Sequence, residues 1–99
     1  MIFDIEFDIK AEIEYIEAIV WYEKKSEGLG GRFENSVLQL VKSIAENPLI
    51  YPNKKLATRE CKVHDFPYLV VYKIYPAKNL IYVISIFHTS RNPKKKYRK

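Results

Sequence analysis

Ninety-nine residues leave room for one hydrophobic core and no second domain. An apolar fraction of 47%, with 14% aromatic residues, excludes a disordered chain, and the single Cys61 excludes an intramolecular disulfide and, alone, a zinc site. The net charge of +5 is uneven. Residues 1–27 hold eight acids against three lysines, whereas from Arg91 onward there are six bases and no acid. Such polarity favours an anionic partner at one end and a basic one at the other, although a terminal Lys/Arg run also fits a solvated tail. No apolar run reaches the length of a membrane span, and Asp4, Glu6 and Asp8 stand where a secretory leader would be basic and then apolar. A reducing, cytoplasmic setting with no membrane partner is therefore expected.

Residues 1–7 alternate, with Phe3, Ile5 and Phe7 opposite Asp4 and Glu6, which predicts a short half-buried strand. Asp8 is an expected helix N-cap. Over 9–26, Ile9, Ile13, Ile16 and Val20 form one stripe at helical spacing and Tyr15, Ile19 and Tyr22 a second beside it, so both are assigned to the apolar face, with Trp21 at its edge and counted as core. Gly28, Gly30 and Gly31 break the helix: Gly28 suits a left-handed C-cap and the next pair a tight reversal. A phosphate-binding loop is rejected, since no strand precedes and no Gly-Lys-Ser/Thr follows. A second helix over 31–46 carries Phe33, Val37, Leu40, Val41 and Ile44 and stops at Asn47-Pro48. Residues 48–52 read as an extended apolar segment over the core edge, and Asn53-Lys54-Lys55 as a basic loop. Residues 56–63 read as a strand with Arg59, Cys61 and Val63 on one face and Glu60 and Lys62 on the other.

The β-branched and aromatic runs at 68–74 and 80–87 flank a Pro76/Asn79 break, which predicts a hairpin at the centre of the sheet. The order β-α-α-β-β-β describes an α+β fold: an N-terminal strand and an antiparallel helical hairpin packed on a small, mostly antiparallel sheet. Residues 1–93 form the single domain and 94–99 a basic C-terminal tail. Where the last strand meets His88-Thr89-Ser90-Arg91-Asn92-Pro93, apolar character gives way to polar and basic, and chemistry or recognition is expected there.

Several anchored residues carry a family resemblance. They are Glu14-x-x-Glu17-Ala18-x-x-Trp21-Tyr22-Glu23, Gly28-Leu29-Gly30-x-Arg32-Phe33, Asn47-Pro48 with Tyr51-Pro52, Arg59, Phe66-Pro67-Tyr68 with Tyr72, and His88-x-x-Arg91-Asn92-Pro93. In order and spacing they resemble the RelE/ParE superfamily of toxins from type II toxin–antitoxin pairs. The resemblance implies a growth-inhibiting toxin silenced by a cognate antitoxin wrapped over its surface. An acidic or amphipathic antitoxin is expected to cover the helical hairpin groove and an open sheet edge, which offer unpaired apolar or backbone groups. It also implies one of two targets. ParE-like members poison DNA gyrase by binding; RelE-like members cleave mRNA on the ribosome with Arg, Lys and often a C-terminal Tyr or His.

Here Leu69 and Thr89 stand where the RelE pattern places arginines, and the tail Tyr97 lies farther from the strand end, so the ending is closer to the ParE side. The candidate target-binding residues are Arg59, His88, Arg91, Lys94, Lys95 and Lys96. In the alternative, a metal-free endoribonuclease, His88 is the acid or base while Arg59, Lys62 and Arg91 hold the phosphate. Strand alternation points Arg59 and Lys62 to opposite faces, so the four cannot all converge without a bulge. Arg59 also fits an ion pair with acids of the first helix, and His88 a backbone-bonded strand end. No cofactor, metal or small-molecule partner is expected. A basic nucleic-acid-binding module would account for the tail but not for the helical hairpin.

Overall fold

The computed structural model describes residues 2–91. Strand β1 (Asp4–Phe7) leads into helices α1 (Ile9–Lys25) and α2 (Leu29–Glu46), then β2 (Arg59–Lys62), β3 (Tyr68–Tyr75) and β4 (Leu80–His88). The sheet runs β1-β4-β3-β2, with β1 parallel to β4 and the other pairs antiparallel. The β3–β4 hairpin therefore takes the two central places, where its nearly continuous apolar runs are covered on both faces. A 3-10 turn at Pro76–Lys78 joins the two strands, with Asn79 left-handed at φ 51°. No helix among the described residues is long and apolar enough to cross a membrane.

The helices lie on one face of the sheet. Phe33 of α2 is fully buried, its ring 5.2 Å from Tyr22, 5.1 Å from Phe66 and 4.9 Å from Tyr68. The other face carries a smaller apolar cluster of Val71, Ile84 and Phe87, with Leu69 and Tyr82 packed on it. Asp8 caps α1, accepting from the Lys10 N–H at 3.0 Å. Cys61 is buried in the core, where burial pushes its thiol up to about 12.

Four local expectations change. First, Ile9, Ile13, Ile16 and Val20 are 46–65% exposed; the buried face of α1 is Ala11, Ala18 and Tyr22, with Tyr15 and Ile19 packed beside them. Close approach to the sheet selects small side chains there, and alanine weighs little in a hydropathy pattern. Second, Trp21 is 53% exposed rather than core, edge-on to Tyr22 at 5.1 Å and beneath the Lys25 ammonium at 4.8 Å.

Third, the helical turn is built differently. α1 ends with Ser26 in extended conformation, and Gly28, at φ 84°, precedes α2 rather than closing α1. The Glu23 carboxylate accepts from the Gly28 and Gly30 N–H groups, each at 2.9 Å, so α1 supplies the acid that caps α2. Gly30 lies inside α2, and a Cβ there would sit 2.6 Å from the Ile19 carbonyl oxygen, which fixes how closely the helices pack. Fourth, Pro48–Ile50 is a 3-10 turn whose Leu49 and Ile50 project outward; only Pro48 is buried, its carbonyl accepting from the Tyr72 hydroxyl at 2.7 Å. β2 is correspondingly shorter than 56–63, because Leu56 and Ala57 take positive φ.

Candidate functional site

The site follows from a missing strand. β1 pairs with β4 only from Leu80 to Val83, and the chain then leaves the sheet, the Asp8 N–H bonding the Val83 carbonyl at 2.8 Å. The second half of β4 runs beside α1 instead. The β3–β4 register shifts between Val71 and Tyr72, leaving Ile84 without a partner, and such a bulge re-aims the strand. Glu14 of α1 then does the work of a neighbouring strand. Its Oε1 accepts from the Ile86 N–H and the Ser85 hydroxyl, each at 3.1 Å, and its Oε2 accepts from Arg91 Nη1 at 2.9 Å. The Glu14 side chain is 14% exposed and that of Arg91 41%, so the pair sits at the lip of the sheet rather than within it.

Beyond this lip lies a cleft of about 390 Å³ between α1 and the end of β4, walled by Trp21, Tyr68 and Ile86 and rimmed by Glu17, His88 and Arg91. Tyr68 stands opposite His88 across the hairpin, ring to ring at 5.0 Å. Burial, more than its neighbours, raises the Tyr68 phenol above its ordinary range, so it stays a hydroxyl donor. The Arg91 guanidinium also covers the Phe87 ring at 5.5 Å. His88 Nδ1 accepts the Ser90 backbone N–H at 3.1 Å and contacts the Ser90 hydroxyl at 2.7 Å. A backbone N–H can only donate, so Nδ1 carries the lone pair and the neutral ring bears its proton on Nε2.

Of the sequence candidates, His88 and Arg91 share this cleft. Lys62 is at the same end of the sheet, but its ammonium donates to the carbonyls of Val63 at 3.2 Å and Phe66 at 3.0 Å, holding the turn before β3. Arg59 is elsewhere. It lies opposite Tyr72, four residues along β3 from Tyr68 and two strands from β4, hence roughly 16 Å from His88 at ordinary strand spacing. It donates to the Tyr51 carbonyl at 2.5 Å in place of an ion pair with α1. Lys94, Lys95 and Lys96 fall outside the described residues, as do Asn92, Pro93 and Tyr97. Among the described residues no group of three or more His, Cys, Asp or Glu could hold a metal ion.

Glu14, Trp21 and Tyr68 were not anticipated as site residues. A signal for Glu14 existed: it falls three residues after Ala11 and four before Ala18, on the small-residue face that packs inward.

The sequence model for "ParE toxin of type II toxin-antitoxin system, parDE" matches residues 5–93. The chain belongs to the ParE toxin family. This ParE-family chain has the fold of several solved toxins. The chromosomal ParDE toxin–antitoxin system from P. aeruginosa superposes with a TM-score of 0.73 at 12% identity, over 90% of this chain and 98% of that one. The intact E. coli RelBE toxin–antitoxin complex gives 0.68 at 22% identity, over 90% and 99%. The isolated E. coli RelE toxin gives 0.57 at 17% identity, over 94% and 90%. At these identities the structures speak for the fold alone. No curated protein sequence matches the chain.

Proposed function

We propose that this toxin inhibits growth by binding DNA gyrase, with His88, Arg91 and the Lys94–Lys95–Lys96 run contacting the target, and that a protein antitoxin silences it. The observation that carries the binding mode is the state of His88. RNA cleavage without a metal needs a base for the 2′-hydroxyl, a cation at the phosphorane and an acid for the leaving oxygen. The His88 Nδ1 lone pair, the one a general base would use, is already taken by the Ser90 N–H. Of the other candidate cations, Arg59 lies roughly 16 Å from His88 on the outer strand β2 and donates to the Tyr51 carbonyl, and Lys62 is engaged in a turn. Leu69, where the RelE pattern places an arginine, is apolar and packs in the cluster on the sheet face away from the helices.

A rim with an aromatic wall and one half-exposed arginine suits protein recognition, in which aromatic and arginine anchors dominate. The antitoxin has two features to cover: the groove of the helical hairpin and an open sheet edge, the outer strands being β1 and β2.

Induction of the chain in growing cells separates the modes. Gyrase-dependent DNA breaks and an SOS response are expected, and Arg91→Ala should weaken both. Codon-phased mRNA cleavage that His88→Ala or Arg91→Ala abolishes would overturn the proposal in favour of a ribosome-dependent endonuclease.

A further inference from the structure

α1 has two apolar faces, and the fold uses one. Ala11, Ala18 and Tyr22 pack inward, whereas Ile9, Ile13, Ile16 and Val20 point outward, 46–65% exposed. At about 100° per residue the two faces lie roughly 150° apart, so the outward stripe is not a spill-over of the core. Its spacing of four, three and four residues is a heptad seam, the pattern that packs against another helix.

The stripe is complementary to itself. In an antiparallel pair whose two-fold axis passes between positions 14 and 15, Ile9 meets the partner's Val20 and Ile13 meets the partner's Ile16. Symmetry repeats both contacts, giving four apolar layers over about 16 Å. Lys10 and Glu17 lie on the same flank of the stripe. In that register Lys10 stands beside the partner's Glu17, and Glu17 beside the partner's Lys10. Neither side chain has a partner among the described residues. A lipid surface would not call for alternating signs, and an unrelated helix would not call for reciprocal ones. We infer that the outer face of α1 is a homodimer interface, closed by an antiparallel α1–α1 seam with reciprocal Lys10–Glu17 pairs.

The test is sedimentation equilibrium of the full-length chain made by cell-free synthesis, so that toxicity does not limit its supply. A reversible dimer is expected at micromolar concentration. Ile16→Glu, which places two carboxylates in the seam, should leave a folded monomer by circular dichroism. Lys10→Glu and Glu17→Lys each turn two attractions into two repulsions and should weaken the dimer roughly tenfold, while the double swap restores it. Three results would overturn the inference: a wild-type monomer, a dimer indifferent to Ile16→Glu, or charge-swapped chains that fail to regain association. A monomer whose Ile16→Glu variant loses only antitoxin affinity would assign the stripe to the antitoxin instead.

Discussion

Replacing Glu14 tests how the strand end is held. Glu14→Ala removes the acceptor of the Ile86 N–H and the Ser85 hydroxyl, and Ser85 is fully buried. A buried N–H deprived of a charged acceptor costs about 1.5–3 kcal/mol, and the hydroxyl adds up to about 1 kcal/mol. The Arg91 pair, with its arginine 41% exposed, contributes less than about 1 kcal/mol after screening. The expected loss is about 3 kcal/mol, a fall in Tm of about 15 °C for a domain of this size. Glu14→Gln keeps an oxygen for the strand and loses only the charge, so it should cost about 1 kcal/mol. Urea unfolding followed by circular dichroism measures both, with m unchanged if the native fold persists. If Glu14→Ala loses under about 0.5 kcal/mol, or Gln and Ala cost the same, the carboxylate does not substitute for a strand. A double-mutant cycle with Arg91→Ala then isolates the ion pair, whose coupling should stay below about 1 kcal/mol.

Two neighbouring glycines should respond oppositely. Gly30→Ala forces a Cβ against the Ile19 carbonyl and should cost about 1–3 kcal/mol in urea unfolding, whereas Gly31→Ala meets open space within a helix and should gain about 0.5–1 kcal/mol. Cys61, its thiol pushed from 9.0 up to about 12, should react at pH 8 on the order of a thousandfold more slowly with a disulfide reagent when folded than when unfolded. Tyr15 is raised from 10.0 to about 12, by burial first and then by Glu34. For both groups the unfolded chain releases its proton first. Stability is therefore complete below about pH 9 and is lost as pH rises through 12, and Cys61→Ala should flatten the early part of that fall in a pH series of thermal melts. Tyr72→Phe, which leaves the buried Pro48 carbonyl without its donor, should cost about 1 kcal/mol.

The architecture was legible because each element carries a signal that tertiary packing did not need to reverse. The β3 and β4 runs can be little other than central strands, Asp8 is a cap by chemistry, and Asn47-Pro48 stops α2 wherever the helix packs. The two errors on α1 share one cause. Hydropathy ranks isoleucine above alanine, yet contact distance selects alanine where a helix lies close to a sheet, so the stronger stripe of α1 turned outward and took Trp21 toward the surface with it. Gly30, which read as part of a tight reversal, lies inside α2 where a Cβ would meet the Ile19 carbonyl.

Site residues were harder to read, since their roles depend on where β1 stops. Had β1 continued past Phe7, the Ile86 N–H would face a strand and Glu14 would be one more solvated acid on α1. Because β1 ends, the carboxylate closes the edge from the side, and a single residue is narrower than a strand. The space left over is the cleft beside Trp21, and the same carboxylate draws Arg91 to its lip. If the cleft contacts the target as proposed, edge repair and target recognition are joined in one side chain. Glu14→Gln should consequently alter growth inhibition more than its small loss of stability explains, by freeing Arg91 from its anchor. A dose–response series of Glu14→Gln against Gly30→Ala, a destabilised variant with the cleft intact, separates the two. Equal loss of toxicity at equal folded protein would show that the anchor has no part in recognition.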